Sequence, residues 1–524
     1  MDRQVGIIGA GVSGLLACKY VLKAGYNPIV FEAKTSIGGV WAHTSETTKL
    51  QNHKQQYEFL DFPWPSSVKE DFPDHNQVMD YLESYARQFD LQQYIRFNCR
   101  VMAIDYEGVS DEEMVTWDLW GGTGDPIIPK GKWNITVEDT QIESTEKLEQ
   151  VYQVEFVILC IGKFSDLPNI PDFPPNKGPE SFNGKVIHSM DYSAMDDASA
   201  AKFIKGKRVA VVGIQKSGLD IATECAMANG IEHPCTVIYK RAHWNFPDFF
   251  PWGVPLAFLY FNRLAEFMIH KPGEGLILSL LATLLSPLRW LISKFVESYI
   301  RWKLPLKKYN MMPKHSWDKD FSAGTISITP EKFYHRVDEG SIILKKSTTF
   351  SFWKDGVMIS DNNERIETDL VILATGYKGD QKLKNIFASP TFQKYIMGSS
   401  KSTVQLYREC IHPRIPQLAI IGYLESLMNL FTSEIRCIWL THLLKGTFKL
   451  PRIIEMEKDV LRWERYMTQN TSEYYRRSCQ SVMHIWYNDQ LCRDMRFNPK
   501  RKKGFFVELL QPYGSKDYED LSTH

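Results

Sequence analysis

The sequence carries no net charge: 62 lysines and arginines oppose 62 aspartates and glutamates over 524 residues. No global field therefore draws it to nucleic acid or to anionic lipid, and its function must reside in local sites. It also lacks a CxxC pair. The nine cysteines, at positions 18, 99, 160, 225, 235, 410, 437, 479 and 492, show no metal-ligand spacing, and an odd number cannot close a disulfide framework. Reduced thiols, mostly in the core, are expected, with no metal site and no redox dithiol. There is no internal repeat or low-complexity segment. The most apolar run, residues 276–285, ends at Ser286 and Pro287, with Arg289 and Lys294 close behind, which is short of the roughly twenty residues a bilayer span needs. A core hairpin of helices is expected over 253–312, with no transmembrane span, although peripheral membrane contact stays open. No nucleophile triad stands out either, and that leaves chemistry carried by a cofactor.

What is present begins at once. Val5, Ile7 and Ile8 form a short apolar run, Gly9, Gly11 and Gly14 follow at GxGxxG spacing with Val12 and Ser13 between, and a helical stretch leads to a second apolar run ending at Phe31 and Glu32. That is strand, turn, helix, strand. Gly9 suits the tight turn, Gly11 a backbone that approaches a pyrophosphate, Gly14 close helix–strand packing, and Glu32 a ribose hydroxyl. The phosphates would rest on N–H groups at the helix N-terminus. A secretory leader would not need three glycines in register with an acid, so an intracellular chain is expected, cytoplasmic or associated with the endoplasmic reticulum. Gly38, Gly39, Val40 and Trp41, in SIGGVW, follow where a chain would pass close to a bound dinucleotide.

Residues 48–65 read as an irregular loop, too polar to be core, and 76–89 as an amphipathic surface helix. Strands are favoured from 101 to 154, including WDLW and WNITV. At 207 the rhythm returns. RVAVVG leads into Gly213, Gln215, Lys216, Ser217 and Gly218, then a helix, then a strand ending in Lys240 and Arg241. This is a second βαβ unit, with Gln215 where the middle glycine would stand. Cations in place of the acid match a 2′-phosphate, favouring NADP over NAD at Arg241. Two nucleotide-binding units imply two cofactors, FAD in the first and NADPH in the second.

Phe182, Gly184, His188 and Tyr192 stand at FxGxxxHxxxY spacing in FNGKVIHSMDY. With SIGGVW, the two glycine turns and LATGY at 373–377, the chain resembles the flavin-containing monooxygenases over nearly its whole length. TTKLQ, YEFLDFPWP, GIQKSGLDIA and FVESYIRWKLPLKKYNMMP are most similar to the plant branch that includes N-hydroxypipecolate-forming enzymes. The resemblance implies an α/β fold of two Rossmann-like domains, the NADPH domain inserted into the FAD domain, divided here at 1–165, 166–330 and 331–524. It places LATGY, with Thr375 and Gly376, near cofactor at the link between the domains.

The resemblance further implies an NADPH- and O₂-dependent monooxygenase that oxygenates a nitrogen or sulfur centre of a small amine or amino acid-like substrate through a flavin C4a-hydroperoxide. Alignment back from Asp61, Phe62 and Pro63 puts Gln51 where the family carries an amide that supports that species, with Asn52 beside it. His188 reads as a buried structural histidine. A Baeyer–Villiger oxygenase of ketones and a nucleotide-binding relative without turnover are the alternatives. Substrate and oligomeric state are not legible.

Overall fold

The computed structural model describes residues 3–45, 47–141, 149–397, 404, 406–471, 480 and 482–523. Its two five-stranded parallel sheets grow from the apolar runs, which are buried on both faces as parallel strands must be. The first sheet runs in the order Leu418–Ile420, Phe156–Leu159, Gln4–Ile8, Asn27–Phe31, Ile95–Arg96. The second runs Ile342–Lys346, Cys235–Tyr239, Val209–Val212, Leu370–Leu373, Lys185–His188. The first sheet is thus completed by a strand that follows the whole of the second, so the second unit is inserted into the first as expected.

The division at 330 is not where the sheets divide. Ile342–Lys346 and Leu370–Leu373 both belong to the second sheet, which carries that unit to about residue 374. The cause is the antiparallel meander Phe350–Trp353, Gly356–Ile359, Glu364–Glu367, which sits between those two strands and hides the strand–helix rhythm. A second antiparallel sheet, Cys99–Glu107, Lys132–Asp139 and Glu149–Val154, is set into the first unit. WDLW lies outside it, in turns.

Two other expectations change. Residues 48–65 are not too polar for the core: Phe59 stacks on Tyr85 at 3.7 Å and Trp64 on Tyr81 at 4.0 Å, both rings coming from the buried face of helix His75–Gln88. Each buried ring of this size contributes about 1.5–3 kcal/mol, so the aromatic residues of YEFLDFPWP outweigh its polar ones. In place of a core hairpin over 253–312 there is one long helix, Leu276–Lys303, preceded by two short helices, Leu256–Tyr260 and Arg263–Phe267. Among the described residues it is the one helix long and apolar enough to cross a membrane by length and composition. Its second half is packed: Arg289 reaches Asp318 at 2.6 Å, and buried Glu297 accepts the Trp317 N–H at 3.1 Å. Its first half is mostly bare, with Leu276 91% and Ile277 84% exposed. The described cysteines are free thiols, buried except for the partly exposed Cys99, and Cys479 lies outside the described residues.

Candidate active site

The two glycine turns are built alike. Gly9 has φ +101° and its N–H donates to Phe31 O at 2.8 Å; Gly213 has φ +122° and donates to Ile238 O at 2.9 Å. Each sits against the end of a neighbouring strand of its sheet, Gly9 at Cys160 after Phe156–Leu159 and Gly213 at Ala374 after Leu370–Leu373. A Cβ at Gly14 would collide with the Gly9 carbonyl, and one at Gly218 with the Gly213 carbonyl, so both helices lie closer to their strands than any side chain permits. The helices Val12–Lys23 and Lys216–Asn229 begin without a side-chain cap and without an acid in the first turn. Their first N–H groups, including those of Ser13 and Ser217, are left for an anion.

The turns differ at the middle position. A Cβ at Gly11 would meet only Gly39 Cα, at 3.5 Å, because the SIGGVW segment crosses there with Gly38 donating to Ala10 O at 3.1 Å. Gly38 and Gly39 both have positive φ. Val40 is exposed beside them, and Trp41 donates to the Tyr57 hydroxyl at 2.8 Å. In the second turn Gln215 takes the cap position with φ −83°, an ordinary conformation for any residue, and its amide is turned aside to Thr325 O at 3.3 Å. A side chain at this position therefore leaves the backbone of the turn in the same form.

The second-strand ends carry opposite charge. The Glu32 carboxylate accepts the N–H groups of Ala10 at 2.7 Å and Lys34 at 2.9 Å, which fixes it at the lip of the first turn. Lys240 and Arg241 follow strand Cys235–Tyr239 and are exposed at the corresponding edge of the second. Lys216 reaches back to Asp220 at 2.6 Å, and burial pushes that carboxyl up to about 6 against the pull of the ammonium. LATGY closes the space between the units: Thr375 Oγ1 donates to Asn169 O at 2.5 Å, and the Asn169 N–H donates to Gly376 O at 2.9 Å, joining the end of strand Leu370–Leu373 in the second sheet to the segment that leaves the first.

The family model described as flavin-binding monooxygenase-like matches residues 2–506. The chain belongs to this family. It is 42% identical over 521 residues to the probable flavin-containing monooxygenase 1 of Arabidopsis thaliana, covering 99% of this chain and 96% of that one. It is 38% identical over 501 residues to the putative flavin-containing monooxygenase 2 of the same plant, covering 95% and 98%. Among solved structures, its fold is shared by S-allyl-L-cysteine S-oxygenase from Allium sativum, with a TM-score of 0.59, 16% identity and coverage of 100% and 93%. It is shared also by the open form of cyclohexanone monooxygenase, with a TM-score of 0.65, 15% identity and coverage of 94% and 97%.

This flavin monooxygenase is an FAD- and NADP-dependent enzyme, and its two turns suit those groups: the open Gly11 side of the first can admit a pyrophosphate, and the acid and the cations at the two strand ends suit a ribose hydroxyl and a 2′-phosphate. The FxGxxxHxxxY residues serve the scaffold. Phe182 is buried, Gly184 lies too close to the Asp369 carbonyl for a Cβ at ordinary contact distance, and Tyr192 donates to Glu224 at 2.9 Å. His188 accepts the Met190 N–H at 3.1 Å, and burial holds its imidazole below the usual range, hence neutral.

The amide expected at Gln51 is exposed and makes no hydrogen bond among the described residues, whereas Asn52 is half-buried and donates to the Leu427 carbonyl. Leu427 sits just before helix Asn429–Leu444, which packs against Val12–Lys23. The loop is pinned there by Lys19, which pairs with Asp61 at 2.6 Å, and by Glu434, which accepts the Leu60 N–H at 2.7 Å. Alignment on Asp61 could not see which of two adjacent side chains turns inward. Nor does any spacing point to Asp320, which accepts the Trp244 N–H at 2.7 Å and meets the stretch after Arg241 only through the fold.

Proposed function

We propose that the enzyme uses NADPH and O₂ to oxygenate a nitrogen or sulfur centre of a small amino acid-like molecule. The observation that carries this reading is the pair of uncapped helix N-termini with opposite charge at the two strand ends. On this reading FAD binds at Gly9, Gly11, Gly14 and Glu32, and NADPH at Gly213, Ser217, Gly218 and Arg241. FAD, when bound, accepts reducing equivalents from NADPH and supplies the oxygen-activating chemistry. The chain positions the phosphates on backbone N–H groups, accepts the ribose hydroxyls at Glu32, and offers an amide near the start of helix Asn429–Leu444. The full-length similarity to Arabidopsis flavin-containing monooxygenases supports the reading, as does the fold shared with an S-oxygenase of an S-substituted cysteine. The test is NADPH-dependent O₂ uptake with a panel of amino acids, amines and thioethers, with mass detection of an added oxygen. Ester formation from ketones with no product from amines or thioethers would replace this reading with the Baeyer–Villiger one.

Arg241→Ala is expected to raise KM for NADPH about tenfold or more while leaving KM for NADH nearly unchanged, since a charge-assisted contact to the 2′-phosphate is lost with only one of the two. Steady-state flavin reduction with each nucleotide measures it. Equal effects on both would place that cation elsewhere.

We further propose peripheral contact with a bilayer, for an enzyme working in the cytoplasm or at the endoplasmic reticulum surface. Ile277, Leu280, Leu284, Leu288 and Leu291 form one exposed stripe along helix Leu276–Lys303, from its start to just past its middle. Trp290 is exposed beside them, and the packed second half keeps the helix on the protein instead of across a membrane. Apolar patches of this kind mark contact sites, and a helix lying in the interface buries such a stripe. Holoenzyme should float with phosphatidylcholine–phosphatidylserine vesicles, and Leu280→Ser with Leu284→Ser should leave it in the soluble fraction with full flavin content. Flotation unchanged by the double variant would dismiss the stripe.

A further inference from the structure

A buried carboxylate lies between the second glycine turn and the stretch that follows Arg241. Asp320, on helix Trp317–Ala323, is fully buried, and four donor-bearing groups stand close to its two oxygens. Oδ2 accepts the Trp244 N–H at 2.7 Å and stands 2.8 Å from His315 Nε2. Oδ1 accepts the Thr325 hydroxyl at 2.9 Å and stands 3.5 Å from His243 Nδ1. His243 and Trp244 belong to the stretch that begins with Arg241, and Thr325 offers its carbonyl to Gln215 at the head of helix Lys216–Asn229. The same stretch is held a second time where the Phe246 N–H donates to Ser327 O at 3.0 Å and the Trp244 indole donates to His315 O at 2.7 Å.

We propose that Asp320 is a positioning residue for NADPH selectivity: from the inside of the domain it fixes the backbone that aims Arg241, in register with the turn that holds the phosphates. The inference rests on the assignment of NADPH to the second turn. Burial alone would raise the carboxyl, but the contacts from His243, His315 and the Trp244 N–H outweigh it and hold it well below the usual carboxylate range. The group is therefore an anion at working pH, and it accepts at both of its oxygens, which no neutral amide does. An asparagine in its place is neutral and accepts at one oxygen only: with that oxygen on the Trp244 N–H, its own N–H faces the Thr325 hydroxyl, so that contact is reversed and the charge assistance to both is lost. Arg241 then loses its fixed origin. NADH, which has no 2′-phosphate, is indifferent to where that guanidinium points, so selectivity distinguishes positioning from a general loss of stability.

The experiment compares full-length, FAD-loaded wild type with Asp320→Asn in anaerobic and steady-state flavin reduction. The variant should keep its flavin and a near-normal rate at saturating NADPH, raise KM for NADPH about tenfold, and leave KM for NADH within about twofold. An unchanged ratio of the two KM values, or an equal rise in both, overturns the proposal. If Asp320→Asn yields no flavoprotein, Thr325→Val carries the test: it keeps the carboxylate, removes one donor, and should raise KM for NADPH alone by about threefold, with an unchanged ratio again overturning the proposal. A wild-type enzyme with no preference for NADPH would bring down the cofactor assignment as well. A preference that survives in the Asp320 variant brings down this inference alone.

Discussion

Gly11→Val is expected to give a folded, colourless protein: flavin content should fall from about one FAD per chain to less than about a tenth of that, the effect of losing a few kcal/mol of binding. The geometry separates the ligand from the fold at this position. A Cβ on residue 11 meets nothing of the protein closer than Gly39 Cα at 3.5 Å, an ordinary contact, and the backbone there is extended with φ −72° and ψ −173°, which valine adopts without strain. The protein itself tolerates the added carbon. What the branched side chain obstructs is the open approach to the uncapped N–H groups of helix Val12–Lys23, where a pyrophosphate must come close. Gly14→Val is the contrasting variant. Its Cβ collides with the Gly9 carbonyl, so it should fail to fold. Flavin absorbance with thermal melting distinguishes the two: Gly11→Val should melt like flavin-stripped wild type, and full yellow colour in that variant would remove the first turn from the FAD site.

Those two glycines also show what a single sequence can reveal. Their roles follow from spacing because the strand–turn–helix geometry is local, completed within the residues up to Glu32, and the same holds for Gly213 and Gly218. Long-range placement was less legible. The division at 330 missed strands Ile342–Lys346 and Leu370–Leu373, because a parallel strand is assigned to its sheet by partners far away in sequence and an antiparallel meander stood between these two. YEFLDFPWP reads as polar because composition averages the buried Phe59 and Trp64 with partly exposed residues between them. The helix at 276–303 was under-read for a different reason: Pro287 and Arg289 interrupt the apolar run, yet Arg289 is satisfied by Asp318 and the helix continues through the proline. A charge reads as a boundary until its partner is known.

The amide beside Gln51 carries the last expectation. Asn52→Leu should keep FAD and be reduced by NADPH anaerobically at a near-normal rate, yet release most of its reducing equivalents as H₂O₂ in air, with product per NADPH falling about tenfold. A side-chain amide nitrogen has two N–H groups. Asn52 gives one to the Leu427 carbonyl, which anchors the amide at the approach to helix Asn429–Leu444. On the function proposed above, the second N–H would donate toward the bound flavin, and leucine fills similar volume while removing it. One lost hydrogen bond is worth about 1–3 kcal/mol, which would lower the coupling of a bound flavin by roughly tenfold without unfolding a domain held by Lys19, Asp61 and Glu434. Gln51→Leu, at an exposed amide with no hydrogen bond among the described residues, should couple like wild type. H₂O₂ and product measured against NADPH consumed decide between the neighbours: loss of coupling in Gln51→Leu alone would return the role to that residue, and full coupling in both variants would leave the loop amides with no part in oxygen transfer.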